Sequence, residues 1–107
     1  MSKTTPELRV AAQIFAAVGQ PMRLGALYAL VAAGDEGLRF PDIALALAAS
    51  HASLAKHLRV LETERLVRRR EGGGAVIYAI RPEGLASLRS AMADLDQVLP
   101  RPAGRGS

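Results

Sequence analysis

Two short segments of β-forming residues, separated by three glycines, interrupt a sequence that is otherwise helical in character. The segments are LVRRRE at 66–71 and AVIYAI at 75–80, and Gly72, Gly73 and Gly74 lie between them. Glycine adopts the positive φ angles of a tight turn without steric penalty, so this pattern predicts one β-hairpin. The expected fold class is therefore mainly α with a β-hairpin.

Proline and glycine positions predict three helices before residue 50. The first runs from Pro6 to Val18, the second from Pro21 to a stop at Gly34, and the third is a short helix after Pro41. Half of the residues are hydrophobic but only 4% are aromatic, which favours closely packed helices. Both tyrosines are expected to be half-buried. The apolar stripes are predicted to comprise Leu8, Ala12 and Phe15 in the first helix, Leu24, Leu27, Tyr28 and Val31 in the second, and Ile43, Leu45 and Leu47 in the third.

A capped amphipathic helix with one cationic face is predicted between the third helix and the hairpin. Ser50 is a favourable N-cap, and the helix should run from His51 to about Arg65. At 100° per residue, one side of this helix is apolar and packs, and the other carries positive charge. The apolar side consists of Leu54, Leu58 and Leu61, and the opposite side of Ala52, Lys56, Arg59 and Thr63.

The last predicted helix begins at Pro82 and carries a regular apolar seam. Its apolar residues follow a 3,4,3,4 spacing, which is typical of a helix that pairs with another helix. The seam consists of Leu85, Leu88, Met92, Leu95 and Leu99. Residues 1–99 are expected to form a single domain and residues 100–107 a disordered tail, because the tail is rich in proline and glycine.

The net charge of +4 is concentrated in one part of the chain. Residues 51–81 contain seven basic and three acidic residues, whereas residues 1–50 contain four of each and residues 82–107 three of each. A basic segment on an otherwise neutral domain is the electrostatic pattern of a surface that binds a polyanion, although a solvated charged face would give the same count.

Several classes of function lack the residues that they would need. The chain has no cysteine, which excludes disulfides, thiolate metal sites and cysteine nucleophiles. His51 and His57 are six positions apart on one helix and cannot share a metal from one face. The glycine run is not followed by the Lys and Ser/Thr of a phosphate-binding loop. We therefore expect neither an enzyme nor a cofactor or metal, and, because no signal peptide or membrane span is apparent, a cytoplasmic protein without a membrane partner.

The order of these elements, and two stretches of sequence, resemble the ArsR/SmtB family of winged helix-turn-helix repressors. The stretches are GQPMRLGALYALV at 19–31 and FPDIALALAASHASLAKHLRVLETERLVRRREGGGAVIYAI at 40–80, and the resemblance covers about residues 12–95. It implies a homodimer joined through the first and last helices, which would offer two recognition helices to palindromic double-stranded DNA. The dimer interface would then include Leu8, Phe15, Leu85, Leu88, Met92, Leu95 and Leu99.

The same resemblance assigns the DNA contacts to the fourth helix and to the hairpin, or wing. The predicted DNA-contacting set begins with the cap Ser50. The residues near base edges would be His51, Ala52, Ser53 and Lys56, and the residues near phosphates would be His57 and Arg59. In the wing, Arg68, Arg70 and the turn around Gly73 would contact DNA, with Arg69 on the opposite face of the strand.

The chain departs from the family pattern in two places. Ala48 and Ala49 replace a glycine and a larger apolar residue, which predicts a more helical turn before Ser50. Arg39 and Pro41 occupy the positions of the family's metal-binding cysteines, and the last helix has no histidine, so the sequence indicates no effector. Two alternatives stay open: a winged-helix module that binds proteins, and an architectural protein that binds DNA without sequence preference.

Overall fold

The computed structural model describes residues 5–98, which form five α-helices and one three-stranded antiparallel sheet. A short 3₁₀ turn, Gly34–Glu36, connects the second helix to the first strand. The elements are α1 Pro6–Val18, α2 Pro21–Ala33, β1 Leu38–Arg39, α3 Phe40–Leu47, α4 His51–Thr63, β2 Val67–Gly72, β3 Ala75–Ile80 and α5 Pro82–Val98. The predicted class, mainly helical with a β-hairpin, is confirmed. Leu99 and the tail at 100–107 lie outside the described residues.

Three helices begin at side-chain caps, which the local sequence supplies. Thr5 Oγ1 accepts a hydrogen bond from the backbone N–H of Leu8 at 3.1 Å, and Ser50 Oγ accepts from Ser53 at 3.2 Å. At the start of α2, the side-chain oxygen of Gln20 accepts from the N–H of Arg23 at 3.0 Å. These caps satisfy N–H groups that have no partner within the helix, and the predicted starts of α1, α2 and α4 are confirmed.

The hairpin has the predicted turn, and a third strand lies beside it. Gly73 and Gly74 have φ angles of 59° and 79°, and β2 pairs with β3 along its whole length. Strand β1 was not predicted, and it pairs with β3 through Leu38 opposite Tyr78. Gly37 permits this approach, since a Cβ atom there would lie 2.1 Å from the carbonyl oxygen of Tyr78. The short strand therefore depends on a close backbone contact and not on β propensity.

The core forms where α2, α3 and α4 meet the base of the hairpin. The predicted apolar side of α4 is confirmed, because Leu54, Leu58 and Leu61 are all completely buried. The other core residues are Ile14, Ala17, Ala26, Leu27, Leu30, Ile43, Ala44, Leu66, Val67 and Tyr78. Helix α5 contacts α1 but has no fully buried residue within its described length.

The predicted core face of α2 is wrong at three of its four positions. Leu24, Tyr28 and Val31 are 40%, 71% and 55% exposed, and of the predicted set only Leu27 is buried. The side that packs against α3, α4 and β3 carries Ala26, Leu27 and Leu30 instead. Because α2 is apolar on several sides, its periodicity does not determine which side meets the core.

Three smaller predictions also need correction. Leu45 of α3 is 81% exposed, so the core side of that short helix carries Ile43 and Ala44. Tyr78 is almost fully buried, so neither tyrosine is half-buried as predicted. Helix α4 ends at Thr63, two residues earlier than predicted, because Arg65 takes a left-handed conformation with φ of 61°.

Candidate nucleic-acid interface

Helix α4 presents a polar, cationic side to solvent. Its buried leucines hold the helix against the core, so the residues on the other side project outward. His51, Ala52, Lys56 and Arg59 are exposed, and Ser53 is half-buried beside the cap. The proposed base-reading residues therefore lie together at the amino-terminal end of the helix, which is the end that enters a major groove in helix-turn-helix proteins.

The turn before α4 is not more helical than usual, contrary to expectation. Ala48 has φ of 52° and ψ of 43°, a left-handed conformation that ends α3 one residue earlier. The N–H of Ala49 donates to the carbonyl of Ala44 at 2.9 Å, and the N–H of Ala48 donates to Leu45 at 3.2 Å. Alanine thus adopts the conformation that glycine adopts more easily, and these two backbone hydrogen bonds cap the carboxyl end of α3.

His51 is oriented by an aromatic neighbour. The edge-to-face contact between the rings of Phe40 and His51 has a centroid distance of 5.1 Å and an interplanar angle of 78°. Phe40 also lies 6.3 Å from the ring of Tyr78, in the third strand. The first residue of α4 is therefore connected to the base of the hairpin through one aromatic ring.

The three consecutive arginines of β2 lie in different surroundings. Arg68 is half-buried and donates from Nη2 to the carbonyl of Asp35 at 3.3 Å, which directs it toward the 3₁₀ turn. Arg70 is exposed, as is Gly73 at the tip of the hairpin. Arg69 lies on the other face of the strand, opposite Tyr78, as strand alternation predicted.

A cleft of about 560 Å³ separates the hairpin from the start of α4. Two arginines and one histidine line it, together with the rings of Phe40 and Tyr78, and the sequence had assigned neither arginine to the candidate site. The lining residues are Arg39, Phe40, Pro41, His51, Arg69, Gly73, Gly74, Ala75, Val76 and Tyr78. The alternation of side chains along β2 predicts that Arg69 lies on the opposite face from Arg68 and Arg70. No feature of the nearby sequence indicates that this face lies beside His51.

The charge of Arg69 is supported by its neighbours. Desolvation disfavours the charged guanidinium, but hydrogen bonding and electrostatic attraction to Tyr78 and to the Glu71 carboxylate outweigh this effect and raise the pKa of Arg69 above its ordinary value. Arg69 Nη2 lies 3.1 Å from a carboxylate oxygen of Glu71. This exposed ion pair is weak, so a stronger anion could displace Glu71.

Most of the cations around α4 and the hairpin are not neutralised. Among residues 5–98 there are two ion pairs, Arg69–Glu71 and Arg81–Glu83. Arg39, Lys56, Arg59 and Arg70 are exposed and have no acidic partner within that range. Unpaired positive charges on one part of the surface attract a polyanion more strongly than the same charges would in ion pairs.

His57 is not a free side chain on the exposed side of α4. It is half-buried, and its Nδ1 atom lies 3.1 Å from Nη1 of Arg23 on α2. Its contact with α2 holds His57 in place, and its position near a phosphate stays a prediction.

A separate apolar groove of about 630 Å³ lies between α1 and α5. Leu8, Phe15 and Leu95 border it, and Met92 is 55% exposed on the same helix as Leu95. Leu85 and Leu88 are half-buried and pack against the core of the same chain. The predicted seam of α5 thus contains residues that pack against the chain's own core and residues that are exposed to solvent.

Two further observations concern ligands and membranes. Within the described part of the chain, no three His, Cys, Asp or Glu residues are close enough together to hold a metal ion. Over the same residues no single helix is long and apolar enough to cross a bilayer. The segments Pro6–Val18 and Pro21–Glu36 reach the required length and apolar composition only when they are taken as a pair, and the pair is bent by 92°.

Comparison with known proteins shows which class of protein this chain resembles. No protein-family model matches the chain. The HTH-type transcriptional regulator Rv2034 of Mycobacterium tuberculosis is 41% identical over 56 residues, which is 52% of this chain and 50% of that protein. The match thus spans only half the length of this curated relative.

Solved structures extend the likeness over most of the chain. A possible transcriptional regulator for arsenical resistance is 26% identical, with a TM-score of 0.69 over 78% of this chain and 83% of the other. A homodimeric winged helix-turn-helix DNA-binding domain from Mycobacterium bovis, Mb0332, described as a possible ArsR-family regulator, is 20% identical, with a TM-score of 0.66 over 91% and 92%. The curated relative and these solved structures are thus described as transcriptional regulators or possible ones. The chain is therefore a helix-turn-helix protein with the winged fold of the ArsR-family transcriptional regulators.

Proposed function

We propose that this protein is a sequence-specific DNA-binding repressor that works as a homodimer on a palindromic operator. The observation that carries the proposal is a set of exposed cations on and beside α4 and the hairpin that have no acidic partner among residues 5–98, namely Arg39, Lys56, Arg59 and Arg70. Lys56 and Arg59 project from the exposed side of α4, while Arg39 and Arg69 border the cleft. An α-helix fits the major groove of B-DNA, and flanking cations that bind phosphates fix its register.

Within this interface, different side chains have different tasks. His51, Ala52, Ser53 and Lys56 lie at the end of α4 that would approach base edges, and they would supply sequence preference. The cations of the cleft and of the hairpin would bind the phosphate backbone, with Arg39 and Arg69 added to the predicted Arg59, Arg68 and Arg70. Arg68 would have to leave the carbonyl of Asp35 to do so.

The groove between α1 and α5 supports a second copy of the chain as the partner. Its border is apolar, and Leu8 and Leu95 are each about half exposed. Burying such side chains stabilises an assembly by about 25 cal/mol per Å² of apolar surface removed from water. A dimer joined there would offer two α4 helices, which suits half-sites about 10 base pairs apart. The cytoplasmic location expected from the sequence stays a prediction.

The test is a fluorescence-anisotropy titration with DNA from upstream of the protein's own gene and with a scrambled duplex, each at low and at near-physiological salt. Tight, salt-sensitive binding to the upstream duplex alone supports a self-regulating repressor. Equal binding to both duplexes would favour the architectural protein. Absence of binding to either would favour the module that binds proteins.

Two substitutions sharpen the titration. Lys56→Ala should weaken binding to the upstream duplex by about 1 to 3 kcal/mol if Lys56 contacts a base, whereas an equal loss on both duplexes would make it a phosphate contact. Arg89→Ala removes the same charge from an exposed position on α5, away from the cleft, and is the matched control. Equal effects of the two variants would mean that net charge, and not the α4 surface, drives binding.

A further inference from the structure

Arg23 connects three helices through one guanidinium group. It lies in the first turn of α2, donates from Nε to the carbonyl of Ala17 at 2.5 Å and from Nη2 to the carbonyl of Ala16 at 3.5 Å. Its Nη1 atom lies 3.1 Å from Nδ1 of His57 on α4. The contacts are part-buried, apart from the longer one to Ala16, so this side chain is held in place and is not a solvated surface cation.

The two carbonyl contacts fix the direction of the third. Ala16 and Ala17 belong to the last turn of α1, where carbonyl groups have no partner within the helix. The last turn of α1 contains no basic residue, so Arg23 of the next helix supplies the positive charge that favours a helix carboxyl end. With Nε and Nη2 directed at these carbonyls, Nη1 is left facing His57.

This contact favours one tautomer of the His57 ring. Arginine has N–H donors and no acceptor, so this contact is a hydrogen bond when Nδ1 of His57 accepts, which corresponds to the tautomer with its proton on Nε2. Nε2 has no hydrogen-bond partner among residues 5–98. In that range, every side-chain nitrogen that is closed to solvent has a hydrogen-bond partner. The Nε2–H group is therefore a donor that is open to solvent.

We propose that Arg23 is a positioning residue that holds His57 in the Nε2–H tautomer, so that α4 presents an oriented N–H donor to a DNA backbone phosphate. His57 follows the exposed Lys56 and lies at the border between the buried and cationic sides of α4. An N–H donor that is already oriented loses little conformational entropy when a phosphate oxygen accepts its hydrogen bond. The inference rests on the proposed DNA binding, but the tautomer belongs to the free protein and can be measured without DNA.

The first test is a long-range ¹⁵N–¹H NMR correlation of the histidine rings in the free protein at about pH 8, above the ordinary imidazole range. We expect the Nε2–H pattern for His57, with His51 as an internal reference. Arg23→Met removes the donors and should convert His57 to a mixture of tautomers. Arg9→Met removes an exposed cation of α1 and should leave the pattern unchanged. An Nδ1–H pattern in the unmodified protein, or no change in Arg23→Met, would overturn the proposal.

The second test keeps the proposal decidable if Arg23→Met does not fold. His57→Gln places an amide donor near the position of Nε2, and His57→Asn retains only a group near Nδ1. We expect His57→Gln to bind the upstream duplex within about threefold of the unmodified protein and His57→Asn to lose about tenfold. Equal losses in the two variants would refute this inference alone. Failure of the unmodified protein to bind any duplex would instead overturn the phosphate contact together with the proposed function.

Discussion

Replacing Ala48 by glycine should stabilise the protein, although the change removes a methyl group. Ala48 ends α3 in the left-handed region, with φ of 52° and ψ of 43°, and it is exposed. A side chain in that conformation costs about 1 to 2 kcal/mol, because Cβ crowds the following carbonyl. Glycine removes this cost but adds about 0.4 to 1 kcal/mol of conformational entropy to the unfolded chain. The midpoints of these two ranges give an expected net gain of about 0.8 kcal/mol.

Thermal unfolding followed by circular dichroism at one fixed protein concentration would measure this gain. For a chain of this size the expected rise in Tm is about 3 to 6 °C. The matched control is Ala86→Gly, at an exposed position inside α5, where the same substitution should lower the stability by about 1 kcal/mol. Effects of equal sign at the two positions, or a loss of stability in Ala48→Gly, would refute the assignment of strain to this turn.

Three further predictions follow from the packing. Gly37→Ala should lower the free energy of unfolding, measured with urea, by about 3 kcal/mol or more, because its Cβ would meet the carbonyl of Tyr78 and its φ of 73° favours glycine. An unchanged urea midpoint would argue against the close approach of β1. Leu58→Ala should cost about 2 to 5 kcal/mol in the same assay, since Leu58 is completely buried, and a loss below about 1 kcal/mol would contradict that burial. Leu95→Glu should yield a monomer in sedimentation, because a dimer through the α1–α5 groove would bury the new charge, whereas a surviving dimer would place the interface elsewhere.

The position of Arg39 beside the cleft gives a test of the interface by salt dependence. Each phosphate contact contributes about 0.9 to the slope of log affinity against log salt concentration. Arg39→Ala should therefore reduce the slope by about 0.9 for each protomer that contacts the duplex. An unchanged slope would remove Arg39 from the interface and leave the cations of α4 and the hairpin as the phosphate contacts.

Local signals in the sequence were sufficient for the helices and the hairpin. The start of α4 depends on Ser50 and on the N–H group three residues later, and the tight turn depends on Gly73 and Gly74. The buried side of α4 could be predicted because its leucines repeat at helical spacing while the other side is polar. Each of these features is determined by residues within a few positions of one another, so a single sequence is enough to predict them.

The tertiary structure alone decided which surfaces meet. Helix α2 is apolar on several sides, so only its neighbours determine that Leu27 is buried and Tyr28 is exposed. The face of Arg69 borders α4 because the hairpin packs at a particular angle, and Arg23 reaches His57 across 34 positions of the chain. Such contacts depend on the positions of whole elements, which periodicity and propensity do not contain. For this protein the sequence therefore determined what each segment forms except β1, and packing determined which charges face the same cleft.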